Sequence, residues 1–119
     1  AALWLGGFSF GAYVSLRGAA ELRPSMLISI APPAGRWDFE RIALPTMPWL
    51  VIQGDDDEIV DPQAVYDWLE RSGASAELVR MPDTSHFFHR KLMDLRGAIR
   101  HGVQPYLRQS DLPEPGAGS

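Results

Sequence analysis

Short apolar runs alternate along this chain with segments whose apolar residues have helical spacing. The runs have the length of buried strands and cover residues 3–6, 26–30, 49–52 and 77–81. Largely continuous apolar runs are typical of parallel strands that are covered on both faces of a sheet. The sequence therefore predicts an α/β fold of about four parallel strands, joined by right-handed connections.

Two helices are predicted between these strands. The first covers residues 10–22, with Pro24 to end it, and its apolar stripe consists of Phe10, Val14 and Leu22. The second has Asp61 as its N-cap and Pro62 as its first residue, and Gly73 ends it. Its predicted buried face consists of Val65, Trp68 and Leu69.

A third helix is predicted from Phe87 onward, on apolar residues at helical spacing: Phe88, Leu92, Leu95, Ile99, Val103 and Leu107. This prediction places His89 one turn into the helix, on its surface, and His101 near the end of the helix. We expect one partial domain over residues 1–108 and a disordered tail over 109–119.

Composition and charge narrow the function classes. Hydrophobic residues make up 45% and charged residues 22% of the 119 positions, which is the balance of a globular domain. A net charge of −4 without a basic run argues against nucleic-acid binding, and no apolar stretch reaches the ~20 residues of a membrane span. The absence of cysteine excludes disulfides and thiolate metal sites, and it favours a cytoplasmic location.

Residues 7–11, "GFSFG", match the pattern G-x-S-x-G between the first strand and the first helix. A serine nucleophile on a sharp turn needs small neighbours, and Gly7 and Gly11 would supply them. The backbone N–H of Phe10, at the helix start, would then point at a developing oxyanion. The five residues alone are equally typical of an ordinary strand–helix turn.

Acidic residues follow the third strand in "QGDDDEIVDP". A serine–histidine pair needs a carboxylate that orients the imidazole. The candidates are Asp55, Asp56, Asp57, Glu58 and Asp61. Helix capping, above all by Asp61, and a solvated acidic turn are the alternative explanations.

His86 follows the fourth strand, in "MPDTSHFFHRKL" and before the predicted helix. A histidine in a loop can reach across the carboxyl ends of the strands, where parallel sheets carry their functional residues. The chain order is then serine, aspartate, histidine, which is the order of the triad in α/β-hydrolases.

The three motifs together resemble the α/β-hydrolase superfamily, and "GFSFGAYVSLRGA" with "SIAPP" is similar to small lidless serine hydrolases related to dienelactone hydrolase. The resemblance covers residues 3–108. The acid of that family stands in G-x-x-D-x-x-V, which selects Asp57 over Asp55 and Asp56. The resemblance implies Ser9 as nucleophile, His86 as base and Asp57 as its orienting acid, in ester or thioester hydrolysis through an acyl-enzyme without metal or organic cofactor.

The substrate expected from the resemblance is a small or accessible ester. Residues 31–48, where the family often inserts a lid, leave no room for a large one. An apolar acyl pocket could be walled by aromatic residues, for which core packing is the alternative: Phe8, Phe10, Trp37, Phe39 and Phe87. A thioesterase, acyltransferase or peptidase with the same triad, and a non-catalytic binding module, are the other functions considered.

The chain departs from the complete fold of the family, which has about eight strands. Only the last four are recognisable here, and the chain starts without Met in a core-like segment. We therefore expect the C-terminal portion of a longer enzyme, with the N-terminal half of the same fold as its partner. That half would supply the second oxyanion-hole N–H, and the fragment alone would be a poor catalyst.

Overall fold

Four parallel strands form the sheet of this protein, as the sequence predicts. The computed structural model describes residues 4–35, 39 and 42–106. In spatial order the strands are β1 (Trp4–Phe8), β2 (Met26–Ile30), β3 (Trp49–Gly54) and β4 (Glu77–Met81). β2 and β4 have the predicted bounds, whereas β1 and β3 each extend two residues further. The extensions bring these two strands directly to Ser9 and to the acidic loop.

Helices cover both faces of the sheet. They are α1 (Phe10–Leu22), α2 (Pro62–Ser72) and α3 (Leu92–Val103), and a 3₁₀ turn, Gln104–Tyr106, follows α3. α1 and α2 pack on one face, in a core that includes Leu16, Ala19, Leu27, Trp49, Val51, Val65 and Trp68. α3 packs on the opposite face, in a core that consists of Met26, Leu50, Ile52, Met81, Phe88 and Val103.

The prediction that Phe10, Val14 and Leu22 form the buried face of α1 is wrong. Phe10, Val14 and Leu22 are each at least half exposed, and the buried residues are Ala12, Ser15, Leu16 and Ala19. The reason is the closeness of α1 to β1: a Cβ on Gly7 would lie 2.1 Å from the carbonyl oxygen of Gly11. At that separation mainly small side chains fit between helix and sheet.

The predictions for α2 are confirmed. Asp61 caps the helix by accepting a 3.0 Å hydrogen bond from the backbone N–H of Gln63, and Pro62 is the first helical residue. Gly73 ends the helix with a φ of 69°. The buried residues are the predicted ones, Val65, Trp68 and Leu69.

The predicted start of the last helix is wrong, because α3 begins at Leu92 rather than Phe87. Phe88 and Arg90 have φ values of 56° and 60°, which an α-helix does not accommodate. His89 therefore lies in the loop, exposed, and Leu92 is also exposed. Leu107 and the predicted tail lie outside the described residues. Within the described part of the chain, no helix has the length and apolar character to cross a membrane.

Candidate active site

Ser9 forms the sharp turn between β1 and α1. Its backbone angles are φ 55° and ψ −117°, a region that a residue with a side chain rarely adopts. Its N–H donates to the carbonyl oxygen of Ile30 at 2.8 Å, and its own carbonyl accepts from Ala12 at 2.9 Å at the start of α1. Although Ser9 is the N-cap residue, its hydroxyl makes no capping hydrogen bond. The hydroxyl is therefore not engaged in the local role that serine usually has at a helix start.

The two glycines of the motif have different roles. Gly7 is required by the 2.1 Å approach described above, because any side chain would collide with the backbone of α1. A Cβ on Gly11 would meet no described atom within 4 Å, so among the described residues the clash is avoided at Gly7 and not at Gly11. The close packing of β1 against α1 thus depends on Gly7.

The carboxylate of Asp57 is buried and accepts four hydrogen bonds. Its Oδ1 accepts from the backbone N–H groups of Ile59 at 2.8 Å and Val60 at 2.7 Å. Its Oδ2 accepts from Nε2 of Gln53 at 3.1 Å and lies 2.8 Å from Nδ1 of His86. Two donors on each oxygen fix the plane of the carboxylate. Because a carboxylate can only accept, Nδ1 of His86 carries the proton, which leaves Nε2 as the basic nitrogen.

The other aspartates of the loop make no contact with the imidazole of His86. Asp55 accepts a hydrogen bond from the hydroxyl of Tyr66 and lies 3.4 Å from Nε of Arg80. Burial, followed by the hydrogen bond to Asp55, raises the pKa of Tyr66 to about 12. Asp56 is exposed, and Asp61 caps α2. Asp57 is the aspartate of this loop that contacts His86.

The acidic loop and the histidine loop are joined at several points besides Asp57. The N–H of Asp56 donates to the carbonyl oxygen of Thr84 at 3.0 Å, and the N–H of His86 donates to Oε1 of Glu58 at 3.2 Å. A Cβ on Gly54 would lie 2.4 Å from the carbonyl oxygen of Thr84. Any residue other than glycine at position 54 would therefore push the two loops apart.

Three residues that support the two loops are not predicted as site residues from the sequence. Gln53, Gly54 and Thr84 support the pair of Asp57 and His86 without carrying charge, so a search for ionisable groups does not find them. The available signal was the pair Gln53–Gly54 at the end of an apolar strand, where an amide has no place unless it is hydrogen-bonded.

His86 reaches back across the strand ends to the residue that precedes Ser9. Its ring is 3% exposed and lies 5.0 Å from the ring of Phe8, centre to centre. The ring of Phe87 stands edge-on to it at 4.8 Å. Among the described residues no hydrogen bond joins Oγ of Ser9 to His86. In enzymes without substrate such contacts are often long and tighten in the complex.

The aromatic residues predicted to wall a pocket are divided between surface and core. Phe8 and Phe87 are 39% and 67% exposed beside His86, and Phe10 is exposed at the start of α1. Phe39 is buried in the core, with its ring 5.3 Å from Tyr13 and 4.8 Å from Trp68. Trp37 lies outside the described residues. Phe8 and Phe87 are thus the aromatic side chains next to the histidine.

Phe10 is the first residue of α1, directly after Ser9. The N-terminus of a helix carries the positive end of its dipole, which favours a developing negative charge nearby. The position of Phe10 is the one expected of an oxyanion donor.

In the part of the chain that the structure describes, no group of three or more histidine and acidic residues is placed to hold a metal ion.

Comparisons with known proteins agree with the fold. The crystal structure of a lidless α/β serine hydrolase from Xanthomonas campestris is 73% identical, with a TM-score of 0.84, over 89% of this chain and 48% of that one. An α/β serine hydrolase homologue from Coxiella burnetii is 40% identical, with a TM-score of 0.78, over 84% of this chain and 49% of that one. An uncharacterised protein from Rickettsia prowazekii is 29% identical over 103 residues, 78% of this chain and 43% of that protein. No family model matches.

The chain spans about half the length of these proteins. The resemblance predicted from the sequence is confirmed, because the solved structures to which the chain is similar are α/β serine hydrolases and one of them is lidless. The four parallel strands alternating with helices match the α/β-hydrolase fold of these structures over about half of their length.

Proposed function

We propose that this chain is the C-terminal half of a serine hydrolase that cleaves carboxylic esters through an acyl-enzyme. The observation that carries the proposal is the buried 2.8 Å contact between Oδ2 of Asp57 and Nδ1 of His86. This contact lies at the carboxyl ends of the strands, where Ser9 also lies. Similarity to α/β serine hydrolases over about half of their length supports an N-terminal half of the same fold as the rest of the enzyme. We call the protein that carries both halves the parent protein.

The proposed reaction follows from the side chains at the carboxyl ends of the strands. Oγ of Ser9 attacks the ester carbonyl carbon while Nε2 of His86 takes its proton, and the imidazolium then gives that proton to the departing alcohol. Water attacks the acyl-enzyme with His86 again as base, which releases the acid and restores Ser9. Asp57 holds the tautomer of His86 and stabilises the imidazolium. No step requires a metal or an organic cofactor.

The oxyanion of the tetrahedral intermediate would be bound by the N–H of Phe10 and by a second donor. In the proposed assignment that donor belongs to the N-terminal half, as it does in α/β-hydrolases generally. Losing one such donor typically costs about 10²–10³ in rate. The chain by itself is therefore expected to be a poor catalyst.

The proposed substrate is a small ester with an apolar group next to the carbonyl. Phe8 and Phe87 flank His86 and expose apolar surface on which such a group can pack. The similarity to a lidless hydrolase supports an open site. An open site suits short esters better than long lipid chains, which need an enclosed pocket.

Ester hydrolysis by variants of the parent protein tests the proposal. Asp57→Asn and His86→Gln should each lower kcat on p-nitrophenyl esters by about 10⁴-fold, because either change removes the correctly oriented base. The matched controls, Asp56→Asn and His89→Gln, alter exposed residues of the same loops and should retain wild-type rates. Full activity of Asp57→Asn would contradict the assignment of the acid.

A substrate panel separates the other reactions open to the same residues. Short p-nitrophenyl esters, acyl-CoA thioesters and peptides should be offered to the parent protein under the same conditions. We expect the highest kcat/KM on the esters. Turnover of peptides or thioesters without turnover of esters would replace esterase by peptidase or thioesterase.

A further inference from the structure

Gln53 is a polar side chain in an otherwise apolar strand. It is the fifth residue of β3, "WLVIQG", and is completely buried. Burying an amide is unfavourable unless hydrogen bonds replace those it makes with water. The role of Gln53 must therefore be sought in the hydrogen bonds that it makes.

Both side-chain hydrogen bonds of Gln53 are donated by the amino group of its amide. Nε2 donates to the carbonyl oxygen of Gly54 at 3.0 Å and to Oδ2 of Asp57 at 3.1 Å. Because both partners are acceptors, the amide has to present its NH₂ group to them rather than its oxygen. In the described part of the chain its Oε1 has no partner. A side chain with two donors is thus what this position uses.

The second hydrogen bond reaches the same oxygen that faces the histidine. Oδ2 of Asp57 lies between Nε2 of Gln53 and Nδ1 of His86, at 3.1 and 2.8 Å. Gln53 also holds the carbonyl of Gly54, to which the N–H of Asp57 donates at 3.4 Å. It therefore fixes both the backbone turn that carries the acid and the rotation of the carboxylate.

We infer that Gln53 is a positioning residue, which holds Oδ2 of Asp57 in line with Nδ1 of His86 and so sets the orientation of the base. This inference rests on the proposed function, since it assigns Gln53 to the support of the same triad. Its action is indirect, because Gln53 touches Asp57 and not the reacting atoms.

Two substitutions in the parent protein test the inference. Gln53→Met keeps the length of the side chain and removes both donors, and it should lower kcat on the order of 10- to 100-fold with little change in KM.

Gln53→Glu is nearly isosteric and adds a second carboxyl beside Asp57. The charged and titratable groups that face it are Asp57, then His86 on the same carboxylate oxygen, and Arg80, its partner residue in β4. Glu58 accepts from the N–H of His86. The two adjacent carboxyls and His86 should hold a proton to higher pH, and the acid limb of the kcat/KM profile should rise by on the order of one pH unit.

Ser29→Ala is the matched control. Oγ of Ser29 accepts a 3.0 Å hydrogen bond from Nε1 of Trp49, and both residues are buried in the same sheet. This hydrogen bond involves neither Asp57 nor His86. The control loses a buried hydrogen bond, as Gln53→Met does, but should keep the wild-type kcat and pH profile. A merely structural role of Gln53 would lower the unfolding temperature of Gln53→Met without lowering its kcat.

The outcomes distinguish this inference from the proposed function. Labelling of the parent protein by a fluorophosphonate, which Ser9→Ala abolishes, establishes the nucleophile independently of Gln53. If labelling stands while Gln53→Met folds and keeps the wild-type kcat, the inference is overturned and the proposed function remains. If Gln53→Met does not fold, the kcat of Gln53→Glu above its acid limb decides, because an ionised carboxylate has no donor for Oδ2 of Asp57. A kcat lowered on the order of 10-fold with little change in KM supports the inference, and a wild-type kcat overturns it.

Discussion

Ser9 has a backbone conformation that is unfavourable for any residue with a Cβ atom. Its φ of 55° belongs to the left-handed half of backbone space, which costs about 1–2 kcal/mol for residues other than glycine. Its hydroxyl makes no capping hydrogen bond that would offset this cost. A strained serine at a turn that a simple glycine would satisfy supports a chemical role for the hydroxyl.

Ser9→Gly should therefore stabilise the parent protein while abolishing its activity. Glycine relieves the strain, whereas Ser9→Ala removes the same hydroxyl and keeps the Cβ, so the first variant should be more stable than the second by about 1 kcal/mol. Urea unfolding of the two variants measures the difference. Equal free energies of unfolding would show that the backbone at position 9 is not strained.

Tyr66 gives the parent protein a dependence of stability on alkaline pH. Its pKa is raised from 10.0 to about 12 by burial and by the hydrogen bond to Asp55. Between these two values the unfolded chain loses the phenolic proton while the folded one keeps it, so the free energy of unfolding falls as pH rises from 10 to 12.

Tyr66→Phe should flatten that fall, because the ring that stacks under Arg80 is retained and the titrating hydroxyl is removed. Denaturant unfolding at several pH values across this window measures the effect, with the exposed Tyr106 changed to Phe as control. The same slope in both variants would show that Tyr66 does not carry the dependence.

The elements that the sequence predicts well are those whose signal is local. β2 and β4 have the predicted bounds, and the cap, first residue and end of α2 are those of Asp61, Pro62 and Gly73. Each of these signals is a property of a few neighbouring residues. The types and order of the elements, and with them the α/β fold, could therefore be derived from the sequence.

The elements predicted poorly are those decided by tertiary contacts. The buried face of α1 is set by its closeness to Gly7, and the start of α3 is set by the positive φ at Phe88, which directs that ring into the core. Helical spacing alone carries neither fact. At the site, the charged candidates were visible in the sequence, but the support by Gln53 and Gly54 depends on how two loops dock.

Glycines within α3 illustrate the same difference at the scale of an element. A Cβ on Gly97 would meet no described atom within 4 Å, whereas a Cβ on Gly102 would lie 2.8 Å from the side chain of Leu50 in the core. Gly97→Ala should raise the free energy of unfolding by about 0.5–1 kcal/mol through helix propensity. Gly102→Ala should gain less or lose stability, because α3 packs on β3 there.

Thermal unfolding of the two alanine variants checks this prediction, since both changes are made in one helix and differ only in their surroundings. A similar gain in both would mean that α3 does not approach β3 closely. A loss in Gly97→Ala would contradict the exposed position of that residue.

At the scale of the whole molecule, the sheet and the oxyanion site point to the same proposed partner. In the described part of the chain β1 pairs with β2 alone. Phe8 in β1, and Phe10 and Val14 in the helix α1 that packs on it, expose apolar surface. A strand edge beside exposed apolar residues tends to pair with further chain. The proposed N-terminal half would cover this edge and bring the second oxyanion donor to Ser9 in one step.

The central claim is that Ser9 is a nucleophile activated by His86 and Asp57. Fluorophosphonate labelling of the parent protein, followed by mass-spectrometric mapping of the labelled peptide, tests it most directly. We predict a single label on Ser9 in the wild type, none in Ser9→Ala, and slow labelling in His86→Gln. An unlabelled wild type, or undiminished labelling of Ser9→Ala, would contradict the account.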